Sequence, residues 1–341
     1  MTVSSHSLET DVAIIGAGPV GLFAAFQCSM LRLHCVLIDV LPQIGGQCTT
    51  LYPEKPIYDI PAHPAIESAQ LIANLERQIA TFTIPRLLEH KVEQLSGRRG
   101  DFLLVTHKQA QIHAKAVIIA AGAGAFCHNR PPLEGLKSFE ESGAVQYCVH
   151  NKAEFQGKSL VIAGGGDSAL DWALTLADYA DKIYLVHRRD HFRGSPESLH
   201  RLDQVITTGR IEKVVPYQLH ALHGDHGILC SVDVIHREGN IRTLHADVLL
   251  PFFGLTTDLG PIALWGINTT RTTIPVTPST CETSLSGLFA IGDIAHYPGK
   301  LKLILQGFSE AAMAAHAIYP IIHPDHVLHF EHSTTKGVPS L

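Results

Sequence analysis

The stretch that decides the fold is DVAIIGAGPVG, residues 11–21, followed by an apolar segment and by HCVLID, residues 34–39. A short apolar run, a glycine turn, a helix-length apolar segment and a second run predict strand, turn, helix and strand. The same order returns in SLVIAGGGDSA, residues 159–169, followed by LDWALTLADYA and KIYLVHRR. Two βαβ units in one chain predict two α/β domains.

Two further apolar segments run into glycine and bracket the second unit: AVIIAAGAG, residues 116–124, and VLLPFFGL, residues 248–255. They predict the points at which the chain crosses between domains. We therefore expect residues 123–253 to form a domain inserted into a discontinuous domain of residues 1–122 and 254–341. The predicted fold class is α/β, with two Rossmann-like domains of three layers each (ββα).

Composition limits the classes of protein that fit. A length of 341 residues suits about two domains, and an apolar content of 45% is enough for a large core. The formal net charge of −6 argues against general nucleic-acid binding. The longest apolar run, residues 12–26, contains glycines and a proline and is shorter than the roughly 18–20 residues of a membrane span.

The chain termini give two further expectations. No basic residue precedes the first apolar run, which argues against a secretory signal and favours a cytoplasmic location. Near the other end, histidines recur at every third position, at His323, His326, His329 and His332. This spacing matches no zinc motif of known mechanics, so no metal site is expected.

The first glycine motif is GxGxxG placed directly between a strand and a helix. Gly16 permits a tight turn, Gly18 lets the backbone approach a pyrophosphate, and Gly21 lets the helix and strand pack closely. The helix that begins at Pro19 offers free N–H groups to the anion. Asp39 ends the next strand, where a carboxylate accepts hydrogen bonds from an adenosine ribose. The motif predicts a dinucleotide site, with a turn that serves packing alone as the alternative.

The second glycine motif has different chemistry at its ribose end. It comprises Gly164, Gly165, Gly166, Asp167, Ser168 and Ala169. The following strand ends in three basic or titratable side chains, with a fourth close behind: His187, Arg188, Arg189 and Arg193. Guanidinium groups bind a 2′-phosphate bidentately, so NADPH is favoured over NADH. The alternative is a solvated basic turn.

One acidic and one arginine-rich dinucleotide site in the same chain predict FAD at the first and NADPH at the second. The segment LFAIGD, residues 288–293, supports this assignment. A strand that ends in Gly-Asp beside a helix can place Asp293 on the ribityl and pyrophosphate part of a flavin nucleotide. The motif is weak when it stands alone.

Four segments carry a resemblance that covers nearly the whole chain: GGQCTTLYPEKPIYDIP (45–61), FGLTTDLGPIALWGI (253–267), GDIAHYPGKLKLILQGFSEA (292–311) and HSTTKG (332–337). With the two glycine motifs, they resemble the two-dinucleotide-binding-domain flavoproteins. Within these the chain is most similar to the thioredoxin-reductase-like ferredoxin–NADP reductases of bacteria. The resemblance implies one FAD per chain, NADPH as substrate, ferredoxin or flavodoxin as electron partner, and a homodimer.

The chain lacks the cysteine pairs of the related disulfide reductases. Thioredoxin reductases carry CxxC before the second glycine motif, where this chain has YCVHN, with Cys148 alone. Glutathione-reductase relatives place two cysteines, five positions apart, after the first domain's GG motif. At the matching positions this chain has Cys48 and Pro53. Without a dithiol relay, electrons must leave the flavin directly. This favours transfer to a one-electron acceptor such as ferredoxin, in either direction.

The resemblance also implies roles for individual residues beyond the glycine motif and Asp39. Those that would contact FAD are Gln47, Tyr52, Val92, Phe126, Asp293, His332, Ser333 and Thr334. Of these, Tyr52 and His332 would stack on the two flavin faces, and Ser333 would lie near the reactive edge. Asp39 stands where Glu is commoner in the family, and Cys48 stands where small or apolar residues are usual.

Hydride and electron transfer need no acid, base or nucleophile from the protein, so no catalytic side chain is nominated. Two alternatives stay open. The same cofactors could deliver electrons to flavodoxin, a quinone or oxygen, or the chain could be a non-catalytic flavin or nucleotide sensor.

Overall fold

The computed structural model of the protein describes residues 7–122, 124–329 and 332–339. The chain divides into two compact units. Unit 1 comprises Met1–Phe126 and Thr257–Leu341, and unit 2, Cys127–Thr256, is inserted between them. Each unit contains a parallel sheet, which confirms the predicted α/β class.

The described residues form helices, 3₁₀ turns and strands, numbered in chain order. The helices are α1 (Pro19–Met30), α2 (Gln47–Thr50), α3 (Ser68–Ile79), α4 (Leu136–Glu141), α5 (Asp167–Leu176), α6 (Pro196–Thr207), α7 (Ile304–Ile322) and α8 (Ser333–Lys336). The 3₁₀ turns are Lys152–Phe155, Gly260–Leu264 and Gly292–Ile294. The first ten strands are β1 (Ser7–Ile15), β2 (Cys35–Ile38), β3 (Pro56–Ile57), β4 (Ile66–Glu67), β5 (Arg86–Leu87), β6 (Val92–Arg98), β7 (Asp101–Thr106), β8 (Gln111–Ile119), β9 (Ala125–His128) and β10 (Ser159–Ala163). The others are β11 (Lys182–Val186), β12 (Ile211–Val214), β13 (Tyr217–Asp225), β14 (Ile228–His236), β15 (Ile241–His245), β16 (Val248–Pro251), β17 (Leu255–Asp258), β18 (Ile274–Pro275), β19 (Leu288–Ala290) and β20 (Ala295–His296).

The main sheet of unit 1 branches at β8. Strands β5, β2, β1 and β8 run parallel in that order. On its other side, the first half of β8 pairs with antiparallel β7 and its last residues pair with parallel β19. Ile15 at the end of β1 lies level with Ile38 of β2 and Ile119 of β8, and Ile119 lies level with Ala290 of β19. Four parallel strands therefore end together at one edge.

Helices cover one face of this sheet. One core cluster joins apolar residues of α1, α3 and α7 to alternate residues of β1, β2 and β8. A second cluster lies on the opposite face, formed by the other residues of those strands, by β7, and by the segment from Leu259 to Ala295. Alternation of side chains between the faces explains why a nearly continuous apolar run, such as residues 12–15, forms a strand buried on both sides.

Unit 2 repeats this plan on a smaller scale. Strands β12, β11, β10 and β16 form a parallel sheet, and β13, β14 and β15 form an antiparallel sheet. One core cluster contains residues of both sheets together with α4. Helices α5 and α6 contact each other and the parallel strands. Ala163 of β10 lies level with Val186 of β11 and Pro251 of β16, so these strands also end at a common edge.

The close approach of α1 to the glycine turn requires Gly21. A Cβ built on Gly21 would lie 1.9 Å from the carbonyl oxygen of Gly16, which is backbone and cannot rotate away. Gly16 itself has a φ of +109° and faces the Ala120 carbonyl oxygen, so two glycines are needed for one turn.

We predict that Gly21→Ala destabilises the chain by about 1–3 kcal/mol, because a methyl group must be forced between two backbone segments. Thermal unfolding of the full-length protein free of any bound ligand measures this. Gly18→Ala is the matched control: Gly18 has a φ of −70° and an added Cβ would meet no atom within 4 Å. If Gly21→Ala and Gly18→Ala unfold at the same temperature, the packing argument is wrong.

Candidate nucleotide-binding sites

A cleft in unit 1 follows the edge where the parallel strands end. The sequence-predicted residues that line it are Gly16, Gly18, Pro19, Asp39, Gln47, Tyr52, Val92 and Asp293. They come from the turn after β1, the ends of β2 and β19, helix α2 and the start of β6. Gly21 does not line the cleft because it is packed against Gly16.

The start of α1 provides a place for an anion in this cleft. Gly18 is the residue that precedes the helix, and no side chain caps it. A Cβ built on Gly18 would point at no described atom within 4 Å, whereas those on Gly16 and Gly21 would clash. Of the three glycines, Gly18 is thus the one beside open space. The helix has 12 residues, and the N–H groups at its N-terminus have no side-chain cap. Because Gly18 beside them has no side chain, a pyrophosphate fits there.

Asp39 joins the glycine turn to the end of β2. Its Oδ2 accepts the Ala17 N–H at 2.6 Å and its Oδ1 accepts the Leu41 N–H at 2.8 Å. Burial raises the pKa of this carboxyl, and the backbone N–H bonds oppose that shift. A carboxylate has four lone-pair sites, so Asp39 can hold the turn and still accept from a ribose hydroxyl.

Tyr52 and Cys48 are polar side chains that both line the cleft. Cys48 is only 1% exposed, and burial raises its pKa to about 11, with the Tyr52 hydroxyl opposing that shift. The thiol is therefore neutral at physiological pH and is not a nucleophile.

The tail residues predicted for this site are placed elsewhere. His332 and Thr334 are exposed, and neither lines the cleft. The side chains of Phe126 and Ser333 lie outside the described residues. The structure thus brings eight of the predicted residues together in one cleft, and the roles of all the predicted residues stay predictions.

Sequence reasoning missed one wall of the cleft. It is made of Leu259, Gly260, Pro261, Ile262 and Trp265, and the strand ends add His90 and Lys91. The Trp265 indole donates to the Glu93 carbonyl at 3.3 Å, which ties this wall to β6. The only signal in the sequence was the resemblance of residues 253–267, which gave no individual role to any of them.

The cleft of unit 2 contains every residue predicted for the second nucleotide. Its lining includes Gly164, Gly165, Gly166, Asp167, Ser168, Ala169, His187, Arg188, Arg189 and Arg193. Sequence reasoning missed two residues of this cleft: Tyr217, the first residue of β13, and Phe252, which directly follows β16. As in unit 1, the residue before the helix, Gly166, has an extended backbone and no atom within 4 Å of an added Cβ.

His187 is held in an unusual position beside the glycine turn. Its ring occupies the space that a Cβ on Gly165 would need, at 2.1–2.4 Å, and it stacks on Phe192 with ring centroids 5.3 Å apart. Its Nε2 is buried without a hydrogen-bond partner among the described residues. Burial, then the nearby arginines, lower the pKa of His187, so the ring is neutral. His187 lines the cleft, while this nitrogen is enclosed against Gly165.

A further arginine reaches the same loop. Arg237, in the turn between β14 and β15, donates from Nη2 to the Arg188 carbonyl at 3.1 Å. This bond holds the backbone of the arginine-rich loop. No spacing in the sequence indicated it, because Arg237 is 49 residues away from its partner.

Other kinds of site are not seen in the described part of the chain. No cluster of three or more His, Cys, Asp or Glu side chains could hold a metal there. Six of the seven cysteines, Cys28, Cys35, Cys48, Cys148, Cys230 and Cys281, are free, and the side chain of Cys127 lies outside the described part of the chain. None of the described helices is both long and apolar enough to span a bilayer.

The family model for pyridine nucleotide-disulphide oxidoreductases matches residues 10–317. The chain belongs to this family. Among similar proteins, a ferredoxin–NADP reductase of Gluconobacter oxydans is 66% identical over 339 residues, covering 99% of this chain and 100% of the relative. Another, from Gluconacetobacter diazotrophicus, is 66% identical over 333 residues, covering 98% of each chain.

The solved structure of Lactococcus lactis thioredoxin reductase is similar in fold. It has a TM-score of 0.78 at 22% identity and covers 92% of this chain and 99% of its own. This chain is thus a pyridine nucleotide-disulphide oxidoreductase with the fold of a thioredoxin reductase. Cys148 has no cysteine partner among the cysteine side chains that the structure describes, and its Sγ lies 3.0 Å from Nε2 of His150.

Gly18 and Gly166 allow each cleft to be tested separately. We predict that Gly18→Ala weakens FAD binding by roughly tenfold or more, because a methyl group enters the open space beside the helix start. Gly166→Ala should weaken NADP⁺ binding to a similar extent. Titration of each nucleotide into the full-length protein, with the other variant as the control, measures both constants. The assignment of the clefts would be contradicted if Gly18→Ala weakened NADP⁺ binding, if Gly166→Ala weakened FAD binding, or if neither variant changed either affinity.

Proposed function

We propose that this chain is a ferredoxin–NADP reductase that carries FAD in unit 1 and takes NADPH in unit 2. The observation that supports this most directly is the pair of separate clefts, one ending in a carboxylate and the other in guanidinium groups, without a cysteine pair in the described residues. The two reductases at 66% identity match the chain almost end to end.

In unit 1, different residues would bind the pyrophosphate, the ribose and the ring system of FAD. The start of α1 with Gly18 would receive the pyrophosphate, and Asp39 would accept from the adenosine ribose. Asp293 would hold the ribityl end, while Gln47 and Tyr52 would contact the ring system. When bound, FAD accepts two electrons as hydride and passes them on singly.

In unit 2, the charge at the end of β11 would select the nucleotide. Arg188 and Arg189 are exposed at the cleft rim and would bind a 2′-phosphate, while Gly166 and the start of α5 would receive the pyrophosphate. His187 is neutral and would line the nucleotide cleft without adding charge.

No protein proton donor is needed for the transfer from NADPH. The chain's contribution would be to orient the two rings and to exclude water. Electrons would then leave through direct contact with the acceptor, because the described cysteines offer no dithiol relay.

The electron acceptor is tested by steady-state assays of NADPH oxidation with a cognate ferredoxin, flavodoxin, a quinone and oxygen. We expect ferredoxin to give the highest kcat/KM. A ferredoxin rate no better than the oxygen rate would contradict the proposal and favour the alternative acceptors. Stopped-flow loss of flavin absorbance on mixing with NADPH excludes the sensor alternative, and its absence would support that alternative.

Nucleotide preference should depend on the arginines at the end of β11. We predict that Arg188→Ala/Arg189→Ala raises the KM for NADPH by about 100-fold, since each guanidinium bond to a phosphate contributes about 1.5–3 kcal/mol, and leaves the KM for NADH nearly unchanged.

Arg242→Ala is the control, because Arg242 pairs with Glu212 in the same unit and does not line the cleft. Equal KM values of the wild type for NADPH and NADH would show that the basic turn is only solvated.

A homodimer and a cytoplasmic location belong to the same proposal. Light scattering during size-exclusion chromatography should give twice the mass of one chain. A monomer that retains full activity would remove the homodimer from the proposal.

A further inference from the structure

A buried ion pair lies directly behind the unit 1 cleft. Glu310 of α7 is 0% exposed, and it pairs with Lys300, whose side chain is 4% exposed. Neither residue lines the cleft. Removing two charges from water costs several kcal/mol per ion unless other hydrogen bonds complete the pair.

Those other bonds are present. The Tyr297 hydroxyl donates to Oε1 of Glu310 at 2.6 Å, and Gln306 Nε2 donates to the Tyr297 oxygen at 2.6 Å. Gln306 Oε1 in turn accepts the Leu301 N–H at 3.0 Å. Glu310, Tyr297 and Gln306 are thus joined in one hydrogen-bond network. Buried polar groups with satisfied hydrogen bonds give a single rigid arrangement.

The second carboxylate oxygen acts on the cleft. Oε2 of Glu310 accepts the N–H of Gly292 at 2.7 Å. Gly292 follows β19, has a φ of +75° and is held on its other side by Val20 of α1, 3.5–3.6 Å from where its Cβ would be. Gly292 and Asp293 both line the cleft. One buried bond thus fixes the backbone immediately before the Asp293 carboxylate.

We propose that Glu310 is a positioning residue for the flavin nucleotide: its carboxylate fixes Gly292 and thereby aims Asp293 into the cleft. Lys300 neutralises the buried charge so that the carboxylate stays in place. Much of α7 is apolar and packs in the core with α1. An apolar residue at 310 could not accept the Gly292 N–H, and of the partners of Glu310 only Gly292 lines the cleft. The inference rests on the proposed assignment of FAD to this cleft.

The test compares Glu310→Gln with Glu310→Met, each combined with Lys300→Met. Gln and Met have nearly the same shape, and only Gln keeps an oxygen that accepts the Gly292 N–H. We expect Glu310→Met to weaken FAD binding roughly tenfold relative to Glu310→Gln, as one hydrogen bond predicts. FAD titration of the FAD-free full-length chain gives the constants, and its thermal unfolding reports stability. Equal affinities would overturn the proposal.

Glu310→Asp is a second, milder variant. It keeps the charge that faces Lys300 but withdraws the oxygen from Gly292 by one methylene group. FAD binding should weaken by about threefold or more. Tyr297→Phe is its control, because it removes a different bond to the same carboxylate and leaves the one to Gly292. If both variants change FAD affinity only in proportion to stability, Glu310 has a purely structural role.

A double-mutant cycle shows whether Glu310 acts through Asp293. In the Asp293→Ala background, Glu310→Asp should change FAD affinity by less than about twofold, because the group it positions is gone. Multiplicative effects would overturn the proposal. If Asp293→Ala itself leaves FAD affinity unchanged, it is the proposed FAD site that fails, which is a different outcome.

Discussion

The parallel register of the strands at one sheet edge is the constraint on which both sites depend. In unit 1, β1, β2, β8 and β19 end level with one another, and Gly16, Asp39, Ala120 and Gly292 follow them within two residues. In unit 2, β10, β11 and β16 end level, and Gly164, His187 and Phe252 follow directly. A strand shifted by two residues would move its cleft residue about 7 Å along the sheet. The register of the hydrophobic strands therefore determines which side chains line each cleft.

The parts of this arrangement that are local in the sequence were predictable. The two βαβ units and the inserted domain of the fold class follow from apolar runs and glycine turns. Placing Gly18 beside Asp39 needs only one helix and one strand between them. The wall made by Pro261, Ile262 and Trp265 is different, because it reaches the cleft through contacts more than 150 residues away, such as that of Trp265 with Glu93. No periodicity in a single sequence reports such a contact.

The connection between Glu310 and Gly292 shows the same limit within a short stretch. The segment of residues 292–311 was singled out by resemblance, and Asp293 by its motif. Glu310 looks like one polar position in an amphipathic helix, and Lys300 like a surface charge. The structure shows that both are buried and that they face each other. Burial of a charge is decided by the packing of α7 on α1 and β8, which local pattern does not encode.

The side chains that distinguish the two clefts are separate from the backbone features that the clefts share. Both clefts use the same backbone feature, a glycine at the start of a helix where an added Cβ would meet no atom within 4 Å, and such a helix start suits a pyrophosphate in general. The difference lies at the end of the second strand. In unit 1 that position is Asp39, whose carboxylate is fixed by two N–H groups; in unit 2 it is a neutral histidine followed by two exposed arginines. Arg188 and Arg189 are exposed, whereas Asp39 is buried and also holds the glycine turn, so only the unit 2 position can change charge without disturbing its surroundings. Two copies of one architecture thus present different chemistry at the same position, which is the basis for proposing a different nucleotide for each cleft.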